Sequence, residues 1–255
     1  MAFEIVTVPC LSDNYAFLLV KGQRAAVVDI PEAAPILAEV AKRGLTVTDI
    51  LITHHHADHI QGLADLLAGV GGSVRVIGSS IDPHRLPDLG LSVGQGDSFK
   101  LLDAEVRVMD VSGHTIGHIA YYVPEAHVVF TADSLMALGC GRVFEGTMEH
   151  MWESLTKLAA LPPDTIVCSG HEYTETNARF ALTIEPENPD LQARVQKIAD
   201  ARSRGEATVP SLLSDELATN PFLRAGLAEV KSALNMEHES DATVFGEIRR
   251  RKDSF

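Results

Sequence analysis

Thr53-His54-His55-His56-Ala57-Asp58-His59 follows the apolar, β-rich run Asp49-Ile50-Leu51-Ile52 and precedes the helix-like Ile60-Gln61-Gly62-Leu63-Ala64-Asp65-Leu66-Leu67. Four imidazoles and a carboxylate at a strand end are hard to explain as packing. Extended backbone through His54 and His56 puts their side chains on one side, because strand side chains alternate with period two, and it turns His55 away. Asp58 and His59 then sit where the chain bends into the helix and face a second position. One segment thus offers two ligand pairs. Neutral imidazole with carboxylate suits zinc, iron or manganese, and catalytic sites of this kind leave coordination positions open for water. A tag-like His run would not alternate with Asp or follow a buried strand.

Composition bounds the rest. A chain of 255 residues, 45% apolar and 22% charged, has enough core for one large domain, or for a domain with a smaller appendage. The formal charge of -14 argues against a nucleic-acid binder, whose affinity depends on neutralising phosphates with Lys and Arg. No apolar run approaches the ~20 residues of a membrane span, so no membrane partner is expected. The start, Met1-Ala2-Phe3-Glu4-Ile5-Val6, lacks a basic segment before an apolar stretch, which predicts no signal peptide and a cytoplasmic location. Cys10, Cys140 and Cys168 are odd in number and widely separated; they read as reduced, buried thiols rather than disulfides.

Short β-rich runs at Phe3 to Pro9, Tyr15 to Val20 and Ala25 to Asp29, separated by turn residues, predict an antiparallel start. A helix is expected from Glu32 to Lys42 with Gly44 as its stop. Val74 to Ile77 reads as a strand, and Pro83, Pro87 and the glycines through Gly96 as a long loop. Strands are expected again at Ser98 to Leu102, Glu105 to Asp110, Ala120 to Val123, Val128 to Phe130 and Ile166 to Cys168. Several of these end in a His or Asp beside a small residue: His114, Asp133 and His171. Strand ends and the loops after them hold ligands rigidly, and a carboxylate such as Asp133 can bridge two metals. His118 reads as a partner of the ligands or a core residue, and His84, His127, His150 and His238 as surface residues. Beyond His171 the pattern becomes helical, at Thr174 to Leu182, Pro189 to Arg204, Asp215 to Asn220 and Arg224 to Leu234, with β-rich runs absent. Arg249-Arg250-Arg251-Lys252 is a basic cluster near the end of an acidic chain. Neither a Gly-x-Ser-x-Gly elbow nor a Gly-rich phosphate loop is present.

These residues resemble the metallo-β-lactamase superfamily, whose His-x-His-x-Asp-His motif is met by His54, His56, Asp58 and His59. Within it the chain is similar to the glyoxalase II, or hydroxyacylglutathione hydrolase, family. The residues that carry this are Asp13-Asn14-Tyr15, Gly113-His114-Thr115 with Gly117-His118, Phe130 to Ser134, Gly139-Cys140-Gly141-Arg142, Gly170 to Thr174, and Arg249 with Lys252. The resemblance implies an α+β chain: a four-layer αββα metallo-β-lactamase sandwich over residues 1–173 and a C-terminal helical, glutathione-binding domain over residues 174–255. It implies one divalent metal, most often zinc but with iron or manganese accepted, on His54, His56 and His114. A second would sit on Asp58, His59 and His171, with Asp133 as bridge. Glutathione would be held by Arg142, Tyr173, Arg249 and Lys252. Phe144 stands where many relatives have Tyr, and Arg142 where many have Lys.

The implied reaction is hydrolysis of the thioester of S-(R)-lactoylglutathione to D-lactate and glutathione, the second step of methylglyoxal detoxification. A metal-bridging hydroxide would act as nucleophile, oriented by Asp58. The partner is therefore a small-molecule glutathione thioester, and we expect a monomer. A rival within the superfamily is a glutathione persulfide dioxygenase with a single iron, which needs only three protein ligands; the full ligand set and the helical last ~80 residues count against it. A metal-stabilised binding module would instead close its site with four protein ligands.

Overall fold

The computed structural model describes residues 2–255 as two compact units, one made of residues up to 110 with 116–131, the other of 111–115 with 132–255. In the first, β1 (Glu4–Cys10), β2 (Asn14–Lys21) and β3 (Arg24–Val28) run antiparallel, as the intervening turn residues predict. The helix α1 (Ala33–Arg43) stops on Gly44, whose φ of 62 is left-handed and whose N–H closes on Ala41. It returns the chain to β4 (Thr46–Leu51), parallel to β3. The helices α2 (Ala57–Ile60) and α3 (Leu63–Val70) lead to β5 (Arg75–Ser79) and β6 (Leu91–Val93), which extend the sheet in parallel to the order β1-β2-β3-β4-β5-β6.

The strands β7 (Ser98–Leu101), β8 (Ala104–Asp110), β9 (Ile119–Val123) and β10 (Val128–Ala132) form an antiparallel run facing that sheet. Phe17 meets Phe130 at 5.9 Å, and the Tyr121 hydroxyl donates to Ile52 O at 2.8 Å. Ile36 and Leu66, from α1 and α3, are buried with Val27, Ile30, Ile50 and Ile52. Each such side chain contributes about 1.5–3 kcal/mol. This rigid base carries the strand ends Asp29 and Ile52-Thr53-His54.

The second unit begins with a two-stranded hairpin, β11 (Leu135–Met136) and β12 (Gly139–Cys140). Next come α4 (Met148–Ala159), capped by Thr147, and β13 (Ile166–Ser169). The helices α5 (Thr174–Ile184) and α6 (Pro189–Ser203) precede β14 (Ser211–Leu212), antiparallel to β13. Three helices finish the chain: α7 (Leu213–Thr219), α8 (Ala228–Ala233) and α9 (Asp241–Asp253), the last capped by Ser240. Leu138, Ala178, Ala181, Leu191 and Ile198 form its core, beside a run of rings in which Phe180 meets Phe222 at 5.9 Å and Phe222 meets Phe245 at 6.0 Å.

Several elements depart from expectation. The strand β6 lies inside a stretch read as loop, and β14 inside the last third, where no strand is expected. Strands of two or three residues carry no period of their own; pairing with a neighbour makes them. The helices α4 and α9 and the β11–β12 hairpin are not anticipated, and α8 starts at Ala228 rather than Arg224. In α9 the buried positions are Val244, Phe245, Gly246, Ile248 and Arg249, so a cation and a glycine interrupt its apolar stripe. No described helix is long and apolar enough to cross a membrane.

Candidate metal centre

The His-rich stretch leaves β4 without regular structure and enters α2 at Ala57, with His56 as N-cap. His54 and His56 bring their rings to 4.7 Å, and His54 and His59 to 4.2 Å. The His59 Nε2 lies 3.8 Å from Asp58 Oδ2. His55 turns elsewhere, as alternation predicts: its Nδ1 meets Asp82 Oδ2 at 3.0 Å and its Nε2 accepts from Arg85 Nη1 at 3.2 Å.

Hydrogen bonds fix the tautomers of this group. Asp29, at the end of β3 with a φ of 55, accepts the Thr53 N–H on Oδ1 at 2.9 Å and the Thr53 hydroxyl on Oδ2 at 2.8 Å. Because that hydroxyl proton is spent on Asp29, the 3.0 Å contact between Thr53 Oγ1 and His54 Nδ1 has the imidazole as donor. His59 Nδ1 also donates to Asp29 Oδ2, at 2.8 Å. Both rings therefore carry their proton on Nδ1 and present an Nε2 lone pair, the form a metal requires. A single buried aspartate orients two ligands. Asn14, 4% exposed at the start of β2, does the same for Asp58, its Nδ2 donating to Asp58 Oδ2 at 3.0 Å and to Asp58 O at 3.2 Å. The ring of His118, fully buried, stacks on His54 at 4.5 Å and 10°.

The second unit gathers the other three expected ligands. Asp133 Oδ2 lies 3.4 Å from His114 Nε2 and 3.4 Å from His171 Nε2, a carboxylate between two imidazoles. His114 Nδ1 donates to Arg142 O at 2.8 Å, which again leaves Nε2 as the atom that could take a metal. Gly141 permits this packing: its N–H donates to Asp133 O at 2.8 Å, and a Cβ there would stand 2.2 Å from that oxygen and 2.8 Å from His114 Nδ1. Gly170 N, after β13, donates to Ala132 O at 3.0 Å, which sets the two strand ends side by side. The chemistry of these donors fits divalent metal in both units. The first holds two buried imidazoles, His54 and His59, whose Nδ1 is already donating, the second one, His114, and each adds a carboxylate that only accepts.

The residues expected to hold glutathione all lie in the second unit. Tyr173 stacks on His171 at 4.6 Å and 8°, and Phe144 lies 5.3 Å from His114. The exposed Arg142 guanidinium lies 5.9 Å from the Phe144 ring and donates through Nε to Asp253 at 3.2 Å. Lys252 sits between the rings of Phe180 and Phe255, at 5.3 and 5.1 Å, where burial first, then Arg249 and Arg179, bring its ammonium down to about 8. Arg249 is 5% exposed and turned into the fold. Cys10, Cys140 and Cys168 are buried and free, and burial pushes their thiols up, the first two to about 11; none is poised as a nucleophile.

Sequence reading missed Asp29 and the part played by Asn14. The former ends Val27-Val28-Asp29 as Asp133 ends its own strand; the latter lies in Asp13-Asn14-Tyr15.

Comparison with known proteins places this geometry. The family model of the metallo-β-lactamase superfamily matches residues 12–171, and that of the hydroxyacylglutathione hydrolase C-terminus matches residues 172–255. A hydroxyacylglutathione hydrolase of Roseobacter denitrificans is 58% identical over 258 residues, covering 100% of both chains. The chain belongs to the hydroxyacylglutathione hydrolase family. Another member, from Cereibacter sphaeroides, is 56% identical over 257 residues, again with 100% of both chains covered. Among solved structures, the BLEG-1 B3 metallo-β-lactamase superposes with a TM-score of 0.67 at 20% identity, over 86% of this chain and 99% of that one. ETHE1 from Myxococcus xanthus gives 0.64 at 22%, over 100% and 99%. At those identities the likeness is one of fold: this hydroxyacylglutathione hydrolase family member has the metallo-β-lactamase α+β fold with a C-terminal helical region.

Proposed function

We propose that the chain hydrolyses the thioester of S-2-hydroxyacylglutathiones, S-(R)-lactoylglutathione among them, to the hydroxy acid and glutathione, as a cytoplasmic monomer. The observation that carries this is full-length similarity to proteins so named, through both the metal-binding part and the C-terminal part. The superfamily fold alone would leave the substrate open; the match over residues 172–255 favours the hydrolase over a single-iron dioxygenase.

In this reading His54, His56 and His114 would hold one divalent ion, zinc by preference, and Asp58, His59 and His171 would hold the second, with Asp133 serving both. When bound, the ions supply Lewis acidity toward the thioester carbonyl and lower the pKa of water. Asp29 keeps the Nε2 atoms of His54 and His59 available through its bonds to Thr53 and His59. Asp58, steadied by Asn14, orients the attacking hydroxide. The leaving thiolate has a conjugate acid near ~8.5, like free Cys, and leaves without a strong general acid. Arg142, Tyr173 and Lys252, with Arg249 behind them, form the clamp for the glutathionyl carboxylates, and residues 174–255 act as the glutathione-holding domain. A net charge of -14 makes such a local cationic clamp necessary for an anionic substrate.

Elemental analysis paired with a thioester-absorbance assay tests the reading. Close to two divalent ions per chain, and hydrolysis abolished by chelator, are expected. One iron per chain with oxygen uptake on glutathione persulfide would overturn it.

A further inference from the structure

We infer that His118 is a positioning residue whose flat imidazole face fixes the plane of the His54 ring, so that the His54 Nε2 lone pair is held on target for a metal. The inference rests on the proposed two-metal reading of the site and deepens it.

One hydrogen bond is not enough to aim this ligand. His54 Nδ1 donates to Thr53 Oγ1 at 3.0 Å, which sets the tautomer and the direction of that nitrogen. The ring can still pivot about the N–H···O line, and such a bond tolerates a tilt of about 30° before it weakens steeply. A working ligand has to be held to within about 10–20°. A second constraint is therefore needed, and it has to act on the plane of the ring. His56 and His59 meet that ring at 72° and 48°, whereas His118 lies parallel to it, at 10° with centroids 4.5 Å apart. That separation is at the short end of the range for offset stacks of rings, about 4.5–7 Å. Tilting His54 would open one edge of the stack and drive the other into His118.

The stack has a rigid seat. Ile119 N, at the start of β9, donates to Thr53 O at 3.0 Å, and the Tyr121 hydroxyl donates to Ile52 O at 2.8 Å. The chain just after His118 is thus tied to the chain just before His54, and the two rings face each other because their backbones are joined. Both residues are buried, so water does not compete for the ring faces. Burying an imidazole costs more than burying an apolar side chain of like size, which argues against His118 as mere filler. The face of the ring also has an electrostatic use. An imidazole that shares its lone pair with a cation becomes electron-poor, and the negative face of a neighbouring ring favours that state. The stack therefore favours the metal-bound form of His54 as well as its orientation.

The test compares wild type, His118→Leu and His118→Phe as full chains, by zinc titration against a chelator of known affinity, proton NMR of the metal-free proteins, and melting. Leu fills a similar volume without a flat face; Phe supplies the face without ring nitrogens. His118→Leu should raise the Kd of one of the two zinc ions roughly fivefold, the worth of one aromatic stack, and His118→Phe should bring it back to within about twofold of wild type. In the NMR spectra the His54 ring protons should be shifted upfield by the stacked ring in wild type and in His118→Phe, and not in His118→Leu. Wild-type zinc affinity in His118→Leu would overturn the inference. So would a His118→Phe protein that binds zinc as weakly as the Leu variant, since the working part would then be a ring nitrogen. Should His118→Phe fail to fold, His118→Gln keeps polarity and approximate size but has no aromatic face; it should bind as weakly as His118→Leu, and wild-type affinity there sinks the idea. A wild type that holds no zinc would defeat the metal reading and this inference with it, whereas two zinc ions in wild type and an indifferent Leu variant would defeat this inference alone.

Discussion

The His59 imidazole donates its Nδ1–H to Asp29 Oδ2 at 2.8 Å, and that same oxygen takes the Thr53 hydroxyl that sets the His54 tautomer. Removing this carboxylate should loosen two ligands together. Carboxylates behind metal-bound imidazoles typically account for tenfold to a hundredfold in affinity. Asp29→Ala is expected to weaken zinc binding by roughly that factor in a chelator competition, with activity restored by excess metal. Full retention of both metals at wild-type affinity would show the hydrogen bonds to be incidental.

Gly141→Ala should damage the Asp133 and His114 pair without touching a ligand. The new Cβ would lie 2.2 Å from Asp133 O, a backbone atom that cannot swing aside. Overpacking of this kind costs about 1–3 kcal/mol. The variant should unfold at lower urea and hold less metal at any given free concentration; an unaltered urea midpoint and metal content would refute the argument.

The parts legible in sequence are those where chemistry and period coincide. His54 and His56 can be read as a pair because imidazoles two apart on extended chain share a side, and Gly44 as a helix stop because it alone tolerates a φ of 62 without strain. Asp133 and His171 announce themselves by closing apolar runs. Asp29 closes one too, but has no His near it in sequence; its partners His59 and Thr53 come from 30 and 24 residues away. The surroundings of Arg249 are hidden for a related reason: one of its partners is the carbonyl of Cys140, and a carbonyl leaves no trace in residue identity.

Lys252 gives a pH dependence with a definite sign. Burial and the neighbouring Arg249 and Arg179 bring its ammonium down to about 8, so the cation proposed to attract a substrate carboxylate is full below that pH and lost above it. Since kcat/KM reports the free enzyme, it should fall as pH rises through about 8, mainly through KM. In Lys252→Arg the guanidinium stays charged, and that limb of the profile should move well above pH 9. A limb at the same pH in both proteins would assign it to another group.

Glu216 is a buried carboxylate, 0% exposed, on which the second unit converges. Its Oε2 accepts from Leu138 N at 2.8 Å and Asn220 Nδ2 at 3.0 Å; its Oε1 accepts from Ser211 Oγ at 2.7 Å and from Arg194 Nη2. Asn220 Nδ2 in turn donates to Met136 O at 3.1 Å and Gly139 O at 3.0 Å, so α6, α7, β14 and the turn of the β11–β12 hairpin share one node. That hairpin lies between Asp133 and Arg142. Truncation to Ala would leave the Leu138 N–H buried without an acceptor and the Arg194 cation without its carboxylate, held only by Thr219 Oγ1 at 2.7 Å, a loss of about 3–5 kcal/mol. Glu216→Gln keeps the shape and one carbonyl oxygen but cannot neutralise Arg194, so it should fall between wild type and Ala. Urea unfolding of the metal-loaded proteins should rank them wild type, Gln, Ala, with no change in slope. Equal midpoints for all three would mean that water or a neighbour replaces the carboxylate, and that the hairpin owes its place to the apolar contacts of Leu138 alone.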